Sequence, residues 1–197
     1  TNIDPTKGSC YMCIGSSAGA KNQVPQIVDN KLAFEVGVAP LPQLNDDNAK
    51  AISQGPSLCI FDQDNKQEVV ASWLFVKFLA TNPEFQAAFS MISGYIPVIE
   101  RDVLVEQIPS YGTWLETGIQ PGAEEADAKS KVIANTIKVA LEQSHAYYVS
   151  PAFNGSSKAR DQVGELMKYC FTTPTDNVDE LISKAFKDAV AECVADA

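Results

Sequence analysis

The sequence predicts a helix-rich α/β chain. Three short strand-like segments occupy the first 61 residues, and a succession of helices with apolar stripes fills the rest. No internal repeat divides the chain. Its 197 residues suffice for one ordinary domain or two small ones. With 45% apolar and 20% charged residues, it lies near the globular average, which excludes a disordered or low-complexity chain.

Taken in order, Ser9-Cys10-Tyr11-Met12-Cys13-Ile14 reads as a strand, and Gly15-Ser16-Ser17 as the turn that caps a helix ending near Asn30. Phe34-Glu35-Val36-Gly37-Val38 alternates with period two and predicts a second strand, stopped by Pro40 and Pro42. Ser57-Leu58-Cys59-Ile60-Phe61 predicts a third, entered through Gly55-Pro56. Residues 66–80 carry Val70, Leu74, Phe75 and Phe78 on one helical stripe. Thr81-Asn82-Pro83-Glu84 is a start signal for a helix over 83–92. Tyr95-Ile96-Pro97-Val98 must be extended. Residues 106–123, with Pro109, Gly112, Gly118 and Pro121-Gly122, read as turn-rich. Helices follow at about 124–144, at 158–171 and from about Thr175, with a loop at 149–157.

Charge and side-chain chemistry narrow the function. Fifteen basic against 25 acidic residues give a net charge of −10. The only arginines are Arg101 and Arg160. A nucleic-acid binder needs a basic stripe to displace counterions, so that class is excluded. Five cysteines are an odd number, and Cys10-x-x-Cys13 has no second pair and no nearby histidine, so packing cysteines are expected rather than a metal site. Asp62-x-Asp64 lacks the glycine and terminal glutamate of a calcium loop. No apolar run is long enough to span a membrane. The chain opens at Thr1-Asn2-Ile3-Asp4, and composition leaves open whether it is mature or cut from something longer.

Five segments together resemble the extracellular solute-binding proteins of family 1, which serve bacterial ABC importers for sugars and related solutes. They are Gly8-Ser9-Cys10-Tyr11-Met12-Cys13-Ile14-Gly15-Ser16-Ser17, Phe34–Pro42, Gly55-Pro56-Ser57-Leu58-Cys59-Ile60, Ala71–Leu79 and Gly94-Tyr95-Ile96-Pro97-Val98. Each is weak alone, but their order and spacing are specific, and the likeness is expected to run from about Gly8 to the C-terminus as that family's C-terminal half. The resemblance implies a two-lobe periplasmic-binding-protein type II fold that closes on its ligand. Residues 1–51 and 98–197 would form the C-terminal lobe, and residues 52–97 a crossover segment of the N-terminal lobe. A signal peptide and lipid-attachment cysteine would lie upstream, placing a lipoprotein outside the cytoplasm. Its partners would be ABC permease subunits and a sugar or sugar derivative, with no cofactor.

Candidate ligand contacts follow. Small residues and hydroxyls at Gly15, Ser16 and Ser17 let a solute approach the backbone. Gly55 and Ser57 form a second turn. Tyr95 offers a ring for stacking. Phe153 and Asn154 lie in a loop that reaches the cleft in the family, and Arg160 can pair an anionic group. The competing class is a secreted hydrolase acting on carbohydrate or peptide. A cysteine hydrolase would have only His145 to use, and a glycosidase would need two cleft carboxylates with an apolar setting. Apolar helices in 52–97 are expected to leave the isolated chain self-associating.

Overall fold

A computed structural model describes residues 11–195, with side chains through Val194. Its contacts divide the chain into two compact units, residues 1–148 and 149–197. Ser9 and Cys10 of the expected first strand lie outside the described residues.

The first unit opens with a short 3-10 helix, Ser17–Asn22, and not with an α-helix running to Asn30. Residues 11–16 form no strand. After buried Val24 and Pro25 the chain makes a hairpin, β1 (Ile27–Val28) against β2 (Lys31–Leu32). Asp29 and Asn30 hold φ of 49° and 58°, the left-handed pair of a two-residue turn that favours Asn and Asp. Residues 34–38 keep the expected alternation, with Phe34, Val36 and Val38 half-buried between exposed neighbours, but find no ladder partner and are not a strand. Strand β3 (Ala51–Ile52) pairs parallel with β4 (Tyr147–Tyr148), and the Ser53 N–H extends the ladder by donating to the Tyr148 carbonyl. Residues 57–61 are exposed and form no strand, because no neighbouring backbone is offered to them.

Helix α1 (Lys66–Thr81) starts where the Asn65 side chain accepts from the Gln67 N–H. None of its residues is buried, and Val70, Trp73, Leu74, Phe75 and Phe78 are exposed. Helix α2 (Pro83–Ser93) is capped by Asn82 and ends at Gly94, in the left-handed region at φ 77°. Helices α3 (Arg101–Gln107) and α4 (Pro109–Thr117) replace the expected turns. Pro109 stands in the first turn of α4, where its missing N–H costs nothing, and Gly118 ends it at φ 73°. Helix α5 (Ala128–Glu142) begins later than expected, at the Asp127 cap. Glu124 and Glu125 therefore precede it and are not in its first turn.

The core lies where α2 to α5 meet. Ala87, Met91, Leu104, Tyr111, Trp114, Leu115, Ile133 and Ile137 form one buried cluster. Its polar atoms are paired. The Trp114 Nε1–H donates to Ser130 Oγ at 2.9 Å, and Ser130 donates to the Gly118 carbonyl at 2.7 Å. Ser90 Oγ and the Tyr111 hydroxyl meet at 3.0 Å. At the end of α5, Gln143 grips the backbone of Leu41 from both sides: Oε1 accepts the Leu41 N–H at 2.9 Å and Nε2 donates to the Leu41 carbonyl at 2.8 Å.

The second unit contains α6 (Ser156–Thr172) and α7 (Val178–Ala195), packed on each other. Asn177 caps α7: its Oδ1 accepts the Glu180 N–H, while its Nδ2 donates to the Glu180 carboxylate and its backbone N–H to Thr175 Oγ1. No helix among the described residues is long and apolar enough to cross a membrane.

Candidate functional site

Three of the expected contact segments come together in the first unit. Gly94 has no Cβ, and that allows the backbone after α2 to press on the start of the 3-10 helix. A Cβ there would stand 2.7 Å from the Ser17 carbonyl oxygen and 3.4 Å from Ala18 Cα. Tyr95 follows immediately, held by its N–H, which donates to Ser93 Oγ at 3.1 Å. The third segment arrives at Gly55, where a Cβ would lie 4.0 Å from Tyr95 Cε1. The ring of Tyr95 thus has the Gly55 backbone on one flank and the Gly15–Ser17 turn beside its own backbone.

Tyr95 is also the end of an aromatic row. Its ring stacks on Phe89 at 6.0 Å between centroids, Phe89 stacks on Phe85 at 5.6 Å, and Phe85 meets Phe78 at 6.0 Å. The row fixes the ring's plane while the residue stays 37% exposed. A ring held by neighbours and open to solvent is a platform for an apolar or sugar face. The row was not anticipated from the sequence, although Phe85, Phe89 and Tyr95 stand at spacings that one helix and its cap bring to a single side.

The remaining candidates are placed as follows. Ser16 stands at the cap position of the 3-10 helix, but its side chain makes no capping bond, and its carbonyl accepts the Gly19 N–H at 2.9 Å. Ser57 is exposed in the run after β3. Phe153 and Asn154 are exposed in the loop before α6, and Arg160 is exposed on α6, all within the second unit.

Cys13, expected as a buried packing residue, is half-buried, and Cys10 lies outside the described residues; of the others Cys59 is exposed and Cys170 and Cys193 are half-buried. Cys13 Sγ lies 3.4 Å from Gln23 Oε1. Two adjoining open grooves, of about 500 and 480 Å³, run between the β1–β2 hairpin and α5, sharing Asn30, Lys31 and Lys131. They are no anion cradle. The first N–H groups of α5 are already bonded, those of Lys129 and Ser130 to Asp127 Oδ1 and that of Ala128 to Asn30 Oδ1.

A family model described as bacterial extracellular solute-binding protein matches residues 6–113, more than half of the chain. The chain belongs to that family. The five sequence motifs all fall inside the matched residues. The expectation of a family's C-terminal half continuing to the end of the chain is corrected by the same finding. The match covers the N-terminal portion, and residues 114–197 lie outside it. No curated protein and no solved structure matches.

Membership carries a transport-associated role as a solute receptor acting outside the cytoplasm. Receptors of this family are not catalysts, so the chain is a binding protein and not a hydrolase. The helix-rich α/β architecture with two small sheets fits a single lobe of such a fold.

Proposed function

We propose that the chain captures a sugar or a related small solute on the surface formed by Gly15–Ser17, Gly55–Ser57 and Tyr95. The observation that carries this reading is the packing of Gly94 on Ser17, which sets two small-residue turns around one fixed, exposed aromatic ring. Glycines expose backbone donors and acceptors to ligand hydroxyls, and the ring covers the apolar face of a pyranose. In the same reading the solute is held between two lobes. Of the division into 1–51 with 98–197 against 52–97, the run after β3 and α1 fit a second lobe best, since α1 buries no residue. The receptor is lipid-anchored and hands its solute to ABC permease subunits.

Titration of the full chain with a panel of mono- and disaccharides, read by amide chemical shifts, tests it. Shifts are expected at Tyr95, Gly55 and Ser16–Ser17. Tyr95→Ala weakens binding by about 1–3 kcal/mol, roughly ten- to a hundredfold. Shifts confined to other residues, or unchanged affinity in Tyr95→Ala, overturn the assignment.

A further inference from the structure

The second unit is a helical hairpin with almost no core. Helix α6 buries none of its residues, and α7 buries Leu181 and Ala185. The seam follows residues four apart, half-buried Gln162, Leu166 and Cys170 on α6 and Leu181, Ala185, Ala189 and Cys193 on α7. The helices run antiparallel, and Lys158 near the start of α6 reaches Glu192 near the end of α7 at 3.8 Å.

One position past the seam, about 100° further around each helix, stands a second line. It is Val163, Met167 and Phe171 on α6 and Ile182, Phe186 and Val190 on α7. In antiparallel helices a turn of the same sense carries both lines to the same side of the hairpin. All six are exposed, from 46% at Ile182 to 81% at Phe171. The hairpin therefore has one apolar face, two helices wide, on which each line of three side chains spans about 12 Å.

We propose that this face seats a second copy of the chain, the two hairpins closing into a four-helix bundle about a twofold axis parallel to the helices. The area fits: six such side chains offer on the order of 700 Å² of apolar surface, close to what each partner of a standard interface contributes. The shape fits as well, since two antiparallel helices with one apolar face are half of a four-helix bundle. No charged residue lies on the two lines. Beyond them, Arg160 and Lys168 border the α6 side, and Asp179 and Lys187 the α7 side. A twofold axis along the helices lays α6 of one copy over α7 of the other at the same height. Lys168 then stands near Asp179 of the second copy and Arg160 near its Lys187, so the apolar area and the shape carry the pairing, and the edge charges do not. The sequence places self-association on the apolar helices of 52–97, and the exposed apolar residues of α1 and α2 are the competing surface.

Sedimentation of the full chain between about 1 and 200 μM, with hydrogen exchange at both ends of that range, tests the proposal. A dimer is expected, with α6 and α7 amides more protected at the higher concentration. Phe171→Asp and Phe186→Asp should each weaken the dimer at least tenfold, while Phe75→Asp on α1 leaves it unchanged. Circular dichroism confirms that the variants keep their helices. Where one does not, the concentration dependence of exchange in the unaltered chain decides. A monomer throughout the range, protection of α6 and α7 that ignores concentration, or a dimer dissolved by Phe75→Asp and not by Phe186→Asp would each overturn it.

Discussion

Gly94 joins two segments 77 positions apart because it lacks one carbon atom. Any other residue must both adopt a φ of 77° and displace the Ser17 carbonyl, which stands where its Cβ would go. Gly94→Ala is expected to cost about 1–3 kcal/mol in urea denaturation and to remove the solute-induced shifts at Ser16–Ser17. Gly19→Ala, which meets nothing within 4 Å, is the control and should change stability little. On α4, where Tyr111 meets Ser90 of α2, burial raises the Tyr111 phenol above its ordinary value, with the Ser90 hydrogen bond and Arg101 pulling partly back. Unfolded tyrosine titrates near 10, so below about pH 10 both states keep the proton and stability is flat. Above it the unfolded chain loses its proton first, and stability falls until the folded phenol also ionises. Burial raises Tyr147 too, which adds to the decline. Urea midpoints measured from pH 8 to 11 should fall at the alkaline end, and Tyr111→Phe should make that fall shallower. An unaltered slope would contradict the account.

Among the elements, helices were legible from their apolar stripes, but their starts less so. Asn82-Pro83 announces α2 and caps it; Asn65, Asp127 and Asn177 also cap, while the stripes alone put the starts of α5 and α7 near residues 124 and 175. Helix α4 was misread because Pro109, Gly112 and Gly118 look like breakers. Their positions make them something else: a first-turn proline, a glycine on which Val105 packs closely, and a terminal glycine. Strands were the least legible, since a strand needs a partner that local sequence does not name. Residues 34–38 have the pattern without the partner. Ala51–Ile52 has a partner 96 residues away and almost no pattern. Asn30 belongs to the same class of hidden feature, holding φ 58° while its Oδ1 accepts the Ala128 N–H at 2.9 Å. Asn30→Ala should therefore lose both a tolerated backbone conformation and a helix cap, about 1–3 kcal/mol in thermal or urea unfolding. Asn30→Asp should retain most of it.

Across the whole molecule, the members of the candidate site were legible and their meeting was not. Tyr95, Gly55 and the Gly15–Ser17 turn stand out as residue types, but only the approach of Gly94 to Ser17 and of Gly55 to the Tyr95 ring brings them together. Phe153, Asn154 and Arg160 belong to a unit outside the matched family residues. The run between β3 and α1 is exposed throughout, with Leu58 at 63% and Phe61 at 76%. Limited chymotrypsin should nick at Leu58 or Phe61 before it cuts any bond in α4 or α5, as mass spectrometry of the first fragments would show. The grip of Gln143 on Leu41, with β4 beside β3, has a consequence for how the chain is made. Leu41 and Ala51 leave the ribosome about a hundred residues ahead of the groups that bond them, an interval of roughly 5–20 s at bacterial rates of synthesis. Throughout that interval their amides and carbonyls have only water or a passing chain to bond. The newborn first third is therefore the stretch a holding chaperone would meet.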